Sequence, residues 1–368
     1  MARENVLYIL GAGFSAPLGI PTMKHFLSKA KDLYAHKGNE YPHFDGVFKE
    51  LHHLSTVKNY LESDLFNLEE VLSILEMKSF VHSEDLAEDF RKFIADVIQH
   101  YTPPLPNQPT SFRDDWGQQL LGTGPYGGYF SFVSNLCNLK FTAKPTDENF
   151  LMPEGIAEGS DLRYGIISLN YDMVIENCVE YLNRFLVNEK IKLKSQFDGE
   201  DCYRESQTLS IAKIHGTVKP LDGEDCYRDN IIPPTWNKTR PEKTTKIWQL
   251  ANELIKNANH IRFLGYSLPE SDNHLKYLLK TGIVDSELRN LKTVHVLCRD
   301  DPARSVEGRF QSLILPRFLT FKNTNISDYF GKIADLIRLS NAIRHQPQFI
   351  LNCNKLEESH NHFFPKQL

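Results

Sequence analysis

The stretch that decides the fold is VLYILGAGFSA, residues 6–16. Its first half, Val6–Leu10, is a short apolar run that stops at a glycine, as a buried parallel strand does. From about Thr22 to His36 the apolar residues recur at helical spacing. A strand, a glycine-rich turn and a helix in this order predict the first βα unit of an α/β domain built on a parallel sheet.

The glycine-rich turn also fits a dinucleotide-binding fingerprint. Gly11 permits a tight turn, Gly13 lets backbone N–H groups approach a pyrophosphate, and Ala16 permits close helix–strand packing. A βα turn without a ligand remains the alternative. Asp32, about 20 residues on, lies inside the helical pattern rather than at a strand end, where a dehydrogenase holds its ribose. The pattern therefore disfavours hydride transfer.

Three later strand-like runs end in tips that carry polar residues or glycine. The tips are Asn170-Tyr171-Asp172, His215-Gly216-Thr217 and Gly265-Tyr266-Ser267-Leu268-Pro269. Ligands of open α/β sheets gather at the carboxyl ends of strands, so we expect the three tips at one edge. Asn170 offers a donor and an acceptor to a ribose hydroxyl or a water. Asp172 suits a helix cap equally well, and His215 is either a structural residue or a general base.

Composition narrows the class of protein. The chain has 368 residues, a net charge of −5 and 41% hydrophobic residues, which is typical of a soluble globular protein with more than one module. This charge does not indicate nucleic acid as a partner. No apolar run approaches the roughly 18 residues of a membrane span, and the N-terminus has no signal-peptide pattern. Six scattered cysteines indicate reduced thiols, so we predict a cytoplasmic protein with no membrane contact.

The fold class that we predict is α/β, a Rossmann-like parallel sheet with helices on both faces plus an inserted all-helical module. Helical periodicity between Phe44 and His100 indicates the insertion. The predicted divisions are residues 1–30 with 160–335 for the discontinuous Rossmann-like domain, 31–159 for the mostly helical insertion, and 336–368 for a C-terminal extension. Residues 198–205, DGEDCYRE, are nearly repeated at 222–229; we interpret both as acidic turns, because neither copy has paired metal ligands.

The four motifs together resemble the sirtuin NAD-binding domain. They follow the order Gly-Ala-Gly-x-Ser…Gly-Ile-Pro, x-x-Asn-x-Asp, His-Gly and Gly-x-Ser-Leu-Pro, over the first 22 residues and roughly residues 164–300. The resemblance implies that Asn170 holds the nicotinamide ribose and the attacking nucleophile, and that His215 is the base. The predicted NAD-binding residues are Gly11, Ala12, Gly13, Ser15, Pro21, Asp172, Gly265, Ser267 and Leu268, with the last three beside the adenosine.

Two departures from that family bear on the substrate. Thr22-Met23-Lys24 stands where protein-deacylating sirtuins have Asp-Phe-Arg, and no Cys-x-x-Cys pair follows His215. A structural zinc needs four cysteine or histidine ligands, usually in close pairs, so we predict no zinc and no other metal site. The chain looks like the sirtuin-like NAD hydrolases of bacterial antiphage defence. The segment NLEEVL at residues 67–72 also resembles that branch.

The predicted function is therefore that of an NAD glycohydrolase, which cleaves nicotinamide from ADP-ribose and depletes cellular NAD. The resemblance further implies a homo-oligomer with a partner ATPase or another activator. Two alternatives stay open. One is an NAD-dependent protein deacylase or ADP-ribosyltransferase, and the other is a non-catalytic sensor of NAD or ADP-ribose.

Overall fold

The structure is a computed structural model. It describes residues 3–61, 67–82, 86–107, 124–144, 147–157, 161–186, 190–203, 207–219, 231, 242–270, 272–286, 290–342, 348–350 and 353–365. The strands are β1 Glu4–Leu10, β2 Leu139–Lys144, β3 Asp147–Ile156, β4 Leu162–Ser168, β5 Lys192–Lys194, β6 Thr208–Lys213, β7 His260–Leu264, β8 Thr293–Cys298, β9 Leu319–Asn323 and β10 Gln348–Ile350. The α-helices are α1 Ala12–Ser15, α2 Met23–Lys37, α3 His43–Leu54, α4 Leu68–His82, α5 Leu86–Tyr101, α6 Gly127–Leu136, α7 Val174–Phe185, α8 Glu242–Lys256, α9 Asn273–Val284, α10 Ser305–Leu313, α11 Ile326–Ala342 and α12 Cys353–Phe363.

Seven strands form one parallel sheet in the order β5-β6-β4-β1-β7-β8-β9. The central strand β1 is buried on both faces: Tyr8 packs in one apolar cluster, and its neighbours Leu7 and Ile9 pack in the other. Helices cover both faces, since Phe93 of α5 belongs to the first cluster and Leu254 of α8 to the second. The predicted Rossmann-like sheet with helices on both faces is confirmed.

The strand order reverses at β1. From β1 the chain proceeds to β4 and β6 on one side, then crosses to β7, β8 and β9 on the other. Ligands of such sheets bind outside the carboxyl ends of the strands at the reversal. Leu10, Ser168, Lys213 and Leu264 end the four strands around this point, so the predicted motifs follow them directly.

The region between β1 and β4 is mostly helical, with one addition. Strands β2 and β3 pair antiparallel and, with β10, form a separate three-stranded sheet in the order β10-β2-β3. Leu139 and Phe141 are fully buried and alternate along β2, as one buried face of a strand requires. The predicted all-helical module therefore also contains a β-hairpin.

The C-terminal residues pack against the main sheet. The boundary predicted at 335/336 lies inside α11, and Leu356 and Phe364 are buried in the core. Arg262 of β7 donates to both carboxylate oxygens of Glu357 of α12, each at 2.6 Å. Tyr164 donates to the same carboxylate at 3.0 Å. The charge of Arg262 and these hydrogen bonds outweigh burial and lower the pKa of Glu357.

The predictions on the repeated acidic segment and on membrane spans can be compared with the described residues. Cys202 and Tyr203 of the first DGEDCYRE copy are buried, whereas residues 222–229 lie outside the described residues. None of the helices in the described ranges is long and apolar enough to cross a membrane.

Candidate active site

The glycine-rich turn after β1 packs backbone to backbone on the turn after β7. The N–H of Gly13 donates to the carbonyl of Gly265 at 2.8 Å. Gly265 has a φ of +66°, and a Cβ there would lie 2.2 Å from the backbone nitrogen of Phe14. Only glycine fits this contact. We expected N–H groups near Gly13 to face a pyrophosphate, but the N–H of Gly13 itself is occupied by Gly265.

Asn170 joins the tip of β4 to the same turn. Its Nδ2 donates to the carbonyl of Gly11 at 2.9 Å and to Oγ of Ser15 at 3.1 Å. The side chains of Ser15 and Asn170 are buried, so these bonds are shielded from water. The tips of β1 and β4 thus form one hydrogen-bonded unit.

Asp172 lies directly before Met173, the N-cap residue of α7. Its Oδ1 accepts the backbone N–H of Val174 at 3.1 Å, at the start of α7. Its backbone carbonyl accepts a hydrogen bond from Nζ of Lys213, which also pairs with Glu176 at 3.1 Å. Asp172 therefore accepts the first N–H of α7 but is not its N-cap residue, and a contact between Asp172 and NAD stays a prediction.

His215 follows β6 and is almost fully buried, with 3% of its surface exposed. The next residue, Gly216, has a φ of +89°, which explains why a glycine follows the histidine. Nδ1 of His215 lies 3.2 Å from Oε1 of Glu69. Burial alone would lower the pKa of His215, but the charge and hydrogen bond of Glu69 outweigh it, with help from Asp272, and raise the pKa above its ordinary 6.5.

Glu69 is the site residue that sequence reasoning missed. It lies in the first turn of α4, where Oδ1 of Asn67 accepts the backbone N–H groups of Glu69 at 3.1 Å and Glu70 at 3.3 Å. Helical periodicity alone cannot separate Glu69 from solvated acids. The signal that pointed to it was the resemblance of residues 67–72 to the NAD-hydrolase branch.

The tip of β7 is held by its own hydrogen bonds. The hydroxyl of Tyr266 donates to Asp272 Oδ2 at 2.5 Å, and Asp272 Oδ1 accepts the N–H of Leu275 at 3.1 Å. The Ser267 carbonyl accepts from Nε of Arg309 at 3.1 Å. The remaining predicted NAD contacts differ in accessibility: Ala12 is exposed, Pro21 is half-buried, and Leu268 is fully buried with a φ of +51°.

A cavity of about 560 Å³ lies away from these residues, between α8 and α9. Trp248, His274 and Tyr277 are among its lining residues, and none of the predicted site residues is. Across the described ranges, no group of three or more His, Cys, Asp or Glu side chains is placed to hold a metal ion.

Residues 165–315 match the family model of the SIR2-like domain. This match covers the tips of β4, β6 and β7 and supports an NAD-related function. No curated protein matches the chain.

Two solved structures resemble the chain along most of its length. One is Sir2Tm bound to a propionylated peptide, with 12% identity over 94% of this chain and 95% of the other, and a TM-score of 0.34. The other is SIR2 in complex with the inhibitor EX-527, 2'-O-acetyl-ADP-ribose and deacetylated p53 peptide. It has 13% identity over 93% and 95%, with a TM-score of 0.24. Neither likeness is close enough to argue function.

Proposed function

We propose that this protein is an NAD glycohydrolase that hydrolyses the bond between nicotinamide and ribose. The observation that carries the proposal is the placement of Asn170 and His215 at the tips of adjacent strands, next to the turn after β1. The SIR2-like match over residues 165–315 supports NAD as the ligand.

The chemistry needs few protein groups. Nicotinamide leaves as a neutral molecule from a cationic ring, so the transition state resembles an oxocarbenium ion and needs little acid assistance. Water then bonds to C1′ of the ribose, nicotinamide takes the electron pair of the broken bond, and the water proton passes to His215. Holding the ribose and excluding bulk water supply the remaining catalysis.

Asn170 is suited to hold the reacting groups. Both hydrogens of its amide are used, by the carbonyl of Gly11 and the hydroxyl of Ser15. This fixes the amide plane and leaves Oδ1 as an acceptor for a ribose hydroxyl or the attacking water. A side chain locked in this way is pre-organised before substrate binds.

The direct test is to incubate the full-length protein with NAD and to measure nicotinamide and ADP-ribose by chromatography. We expect equal amounts of both products. NADH is the matched control, because its uncharged dihydronicotinamide is a poor leaving group. Nicotinamide release that requires an acylated peptide would instead support the deacylase alternative. NAD binding without cleavage, also in the presence of such a peptide, would support a sensor.

Replacement of Asn170 by alanine is expected to abolish cleavage and to leave NAD binding measurable by calorimetry, because the other predicted contacts lie elsewhere. The variant also leaves the buried hydroxyl of Ser15 without this donor, a cost of about 1–3 kcal/mol, whereas the Gly11 carbonyl still accepts the N–H of Phe14 at 2.8 Å. Its thermal midpoint should therefore fall. If a folded variant no longer bound NAD, the role of Asn170 would be to bind NAD rather than to act in catalysis.

Purified protein is expected to contain no stoichiometric zinc, and chelators should alter neither its stability nor its cleavage of NAD. The reason is that the sequence after His215 has no Cys-x-x-Cys and no Cys near a His at the spacing of a zinc finger. Elemental analysis checks this. One tightly bound zinc per chain would contradict it and would favour the deacylase alternative.

The resemblance alone supports three further parts of the proposal. They are depletion of NAD in bacterial antiphage defence, assembly as a homo-oligomer in the cytoplasm, and response to a partner ATPase or another activator.

A further inference from the structure

The ion pair between Glu69 and His215 links two distant parts of the chain. Glu69 belongs to α4 of the helical region, and His215 follows β6 of the parallel sheet. We propose that Glu69 is the positioning residue of His215, and that α4 thereby completes the catalytic site. This inference rests on the proposed function, since it assigns a partner to the base of that reaction.

The geometry determines which ring nitrogen is the base. A carboxylate oxygen 3.2 Å from Nδ1 accepts a hydrogen bond and so keeps the proton on Nδ1. The lone pair of the neutral ring is then on Nε2. Nε2 is buried and has no hydrogen-bond partner within the described part of the chain, so it is the nitrogen left for the proton of a water. Carboxylates orient catalytic histidines in this way in other hydrolases.

The position of Glu69 is itself fixed. Asn67 caps its helix, the hydroxyl of Ser73 donates to the Glu69 carbonyl at 2.7 Å, and Leu68 and Leu72 anchor the helix in the core. Glu69 is only 9% exposed. A carboxylate held this firmly keeps the imidazole in one orientation, which a flexible surface acid does not.

The groups that face His215 all favour its protonated form. They are Glu69 from α4, Asp272 before α9 and the backbone carbonyl of Leu169 after β4, and together they outweigh the effect of burial on its pKa. The ring of Tyr171 lies 6.4 Å from that of His215. Because a base must be neutral to accept a proton, the activity should rise with pH through a midpoint above 6.5.

The test compares Glu69→Gln with Glu70→Gln, which changes the adjacent acid of the same helical turn. We expect Glu69→Gln to lower kcat by about 10⁴-fold, as neutralising the carboxylate of a catalytic triad does, with little change in KM for NAD. Its pH midpoint should lie below that of the wild type, because Asp272 and the Leu169 carbonyl alone offset less of the effect of burial on the pKa of His215. Glu70→Gln should match the wild type in both respects. Glu69→Asp, which keeps the charge, should recover part of the rate.

A second measurement does not depend on activity. Nitrogen-15 NMR of the histidine rings in the full chain reports the tautomer and pKa of His215. We expect the Nδ1–H form with a raised pKa in the wild type and a lower pKa in Glu69→Gln. Equal rates, pH profiles and His215 titrations in the wild type and a folded Glu69→Gln would overturn the inference. A wild type that shows the raised pKa but never cleaves NAD would refute the proposed function and leave the pairing intact.

Discussion

Replacement of His215 by alanine is expected to lower the turnover of NAD by about 10²–10⁴-fold, the usual contribution of a general base. The attacking water then has no acceptor for its proton at this position. Nicotinamide release at saturating NAD measures the effect. His52→Ala is the matched control, because His52 is an exposed histidine of α3.

The same substitution also affects stability. From the sequence, a residue at a strand tip is expected to pack little, whereas His215 is buried and pairs with Glu69. Alanine would leave that carboxylate buried without its partner. His215→Gln is therefore a useful second variant, since its amide can donate to Glu69 but cannot serve as a base. A folded variant of either kind with more than about a tenth of wild-type turnover would show that the role given to His215 is wrong.

Replacement of Arg262 by methionine is expected to lower the free energy of unfolding by about 3 kcal/mol, because it leaves the carboxylate of Glu357 enclosed without a cation. Arg262 makes two hydrogen bonds of 2.6 Å to Glu357, and its Nη1 also donates to the Tyr8 hydroxyl at 2.8 Å. Urea denaturation followed by circular dichroism measures the loss.

The pH dependence of this loss has a definite sign. In the wild type the pKa of Glu357 is lowered, so its contribution is present above the ordinary value of 4.5 and is lost as the pH falls through the lowered value. In Arg262→Met the charge and hydrogen bonds of Arg262 no longer lower that pKa, so it should rise relative to the wild type and the difference in stability between the two proteins should shrink in acid. The double variant Arg262→Met with Glu357→Leu should recover most of the stability. A single variant as stable as the wild type would show that the pair does not stabilise α12.

The sequence predicted the strands that are buried, because burial gives a strand a continuous apolar run of residues. Strands β1, β4, β6, β7 and β8 are enclosed by neighbours on both sides, so each reads as an apolar run. The edge strands β5 and β9 contain no fully buried residue, and their pattern carries no such signal. The β2–β3 hairpin was missed because residues 31–159 were predicted to form a mostly helical insertion.

In the candidate site, too, the local sequence pattern predicted single residues but not the contacts between distant ones. Asn170 and His215 were found because each follows an apolar run, whereas the Glu69–His215 and Arg262–Glu357 pairs join residues that are far apart in the chain. Nothing in the local pattern around Glu69 or Glu357 records its partner. Such pairs become visible only when the topology places the two elements together.

The central position of β1 has a consequence for synthesis of the protein. Tyr8 is translated 254 residues before Arg262, which lies opposite it in β7. At about 5–20 residues per second, these residues take roughly 13–50 s to translate. The unit of Gly11, Ser15 and Asn170 can therefore form before the contact of Gly13 with Gly265, which has to wait until Gly265 is translated. The proposed NAD-cleaving site would therefore form only after β7 and the turn at Gly265 have been translated.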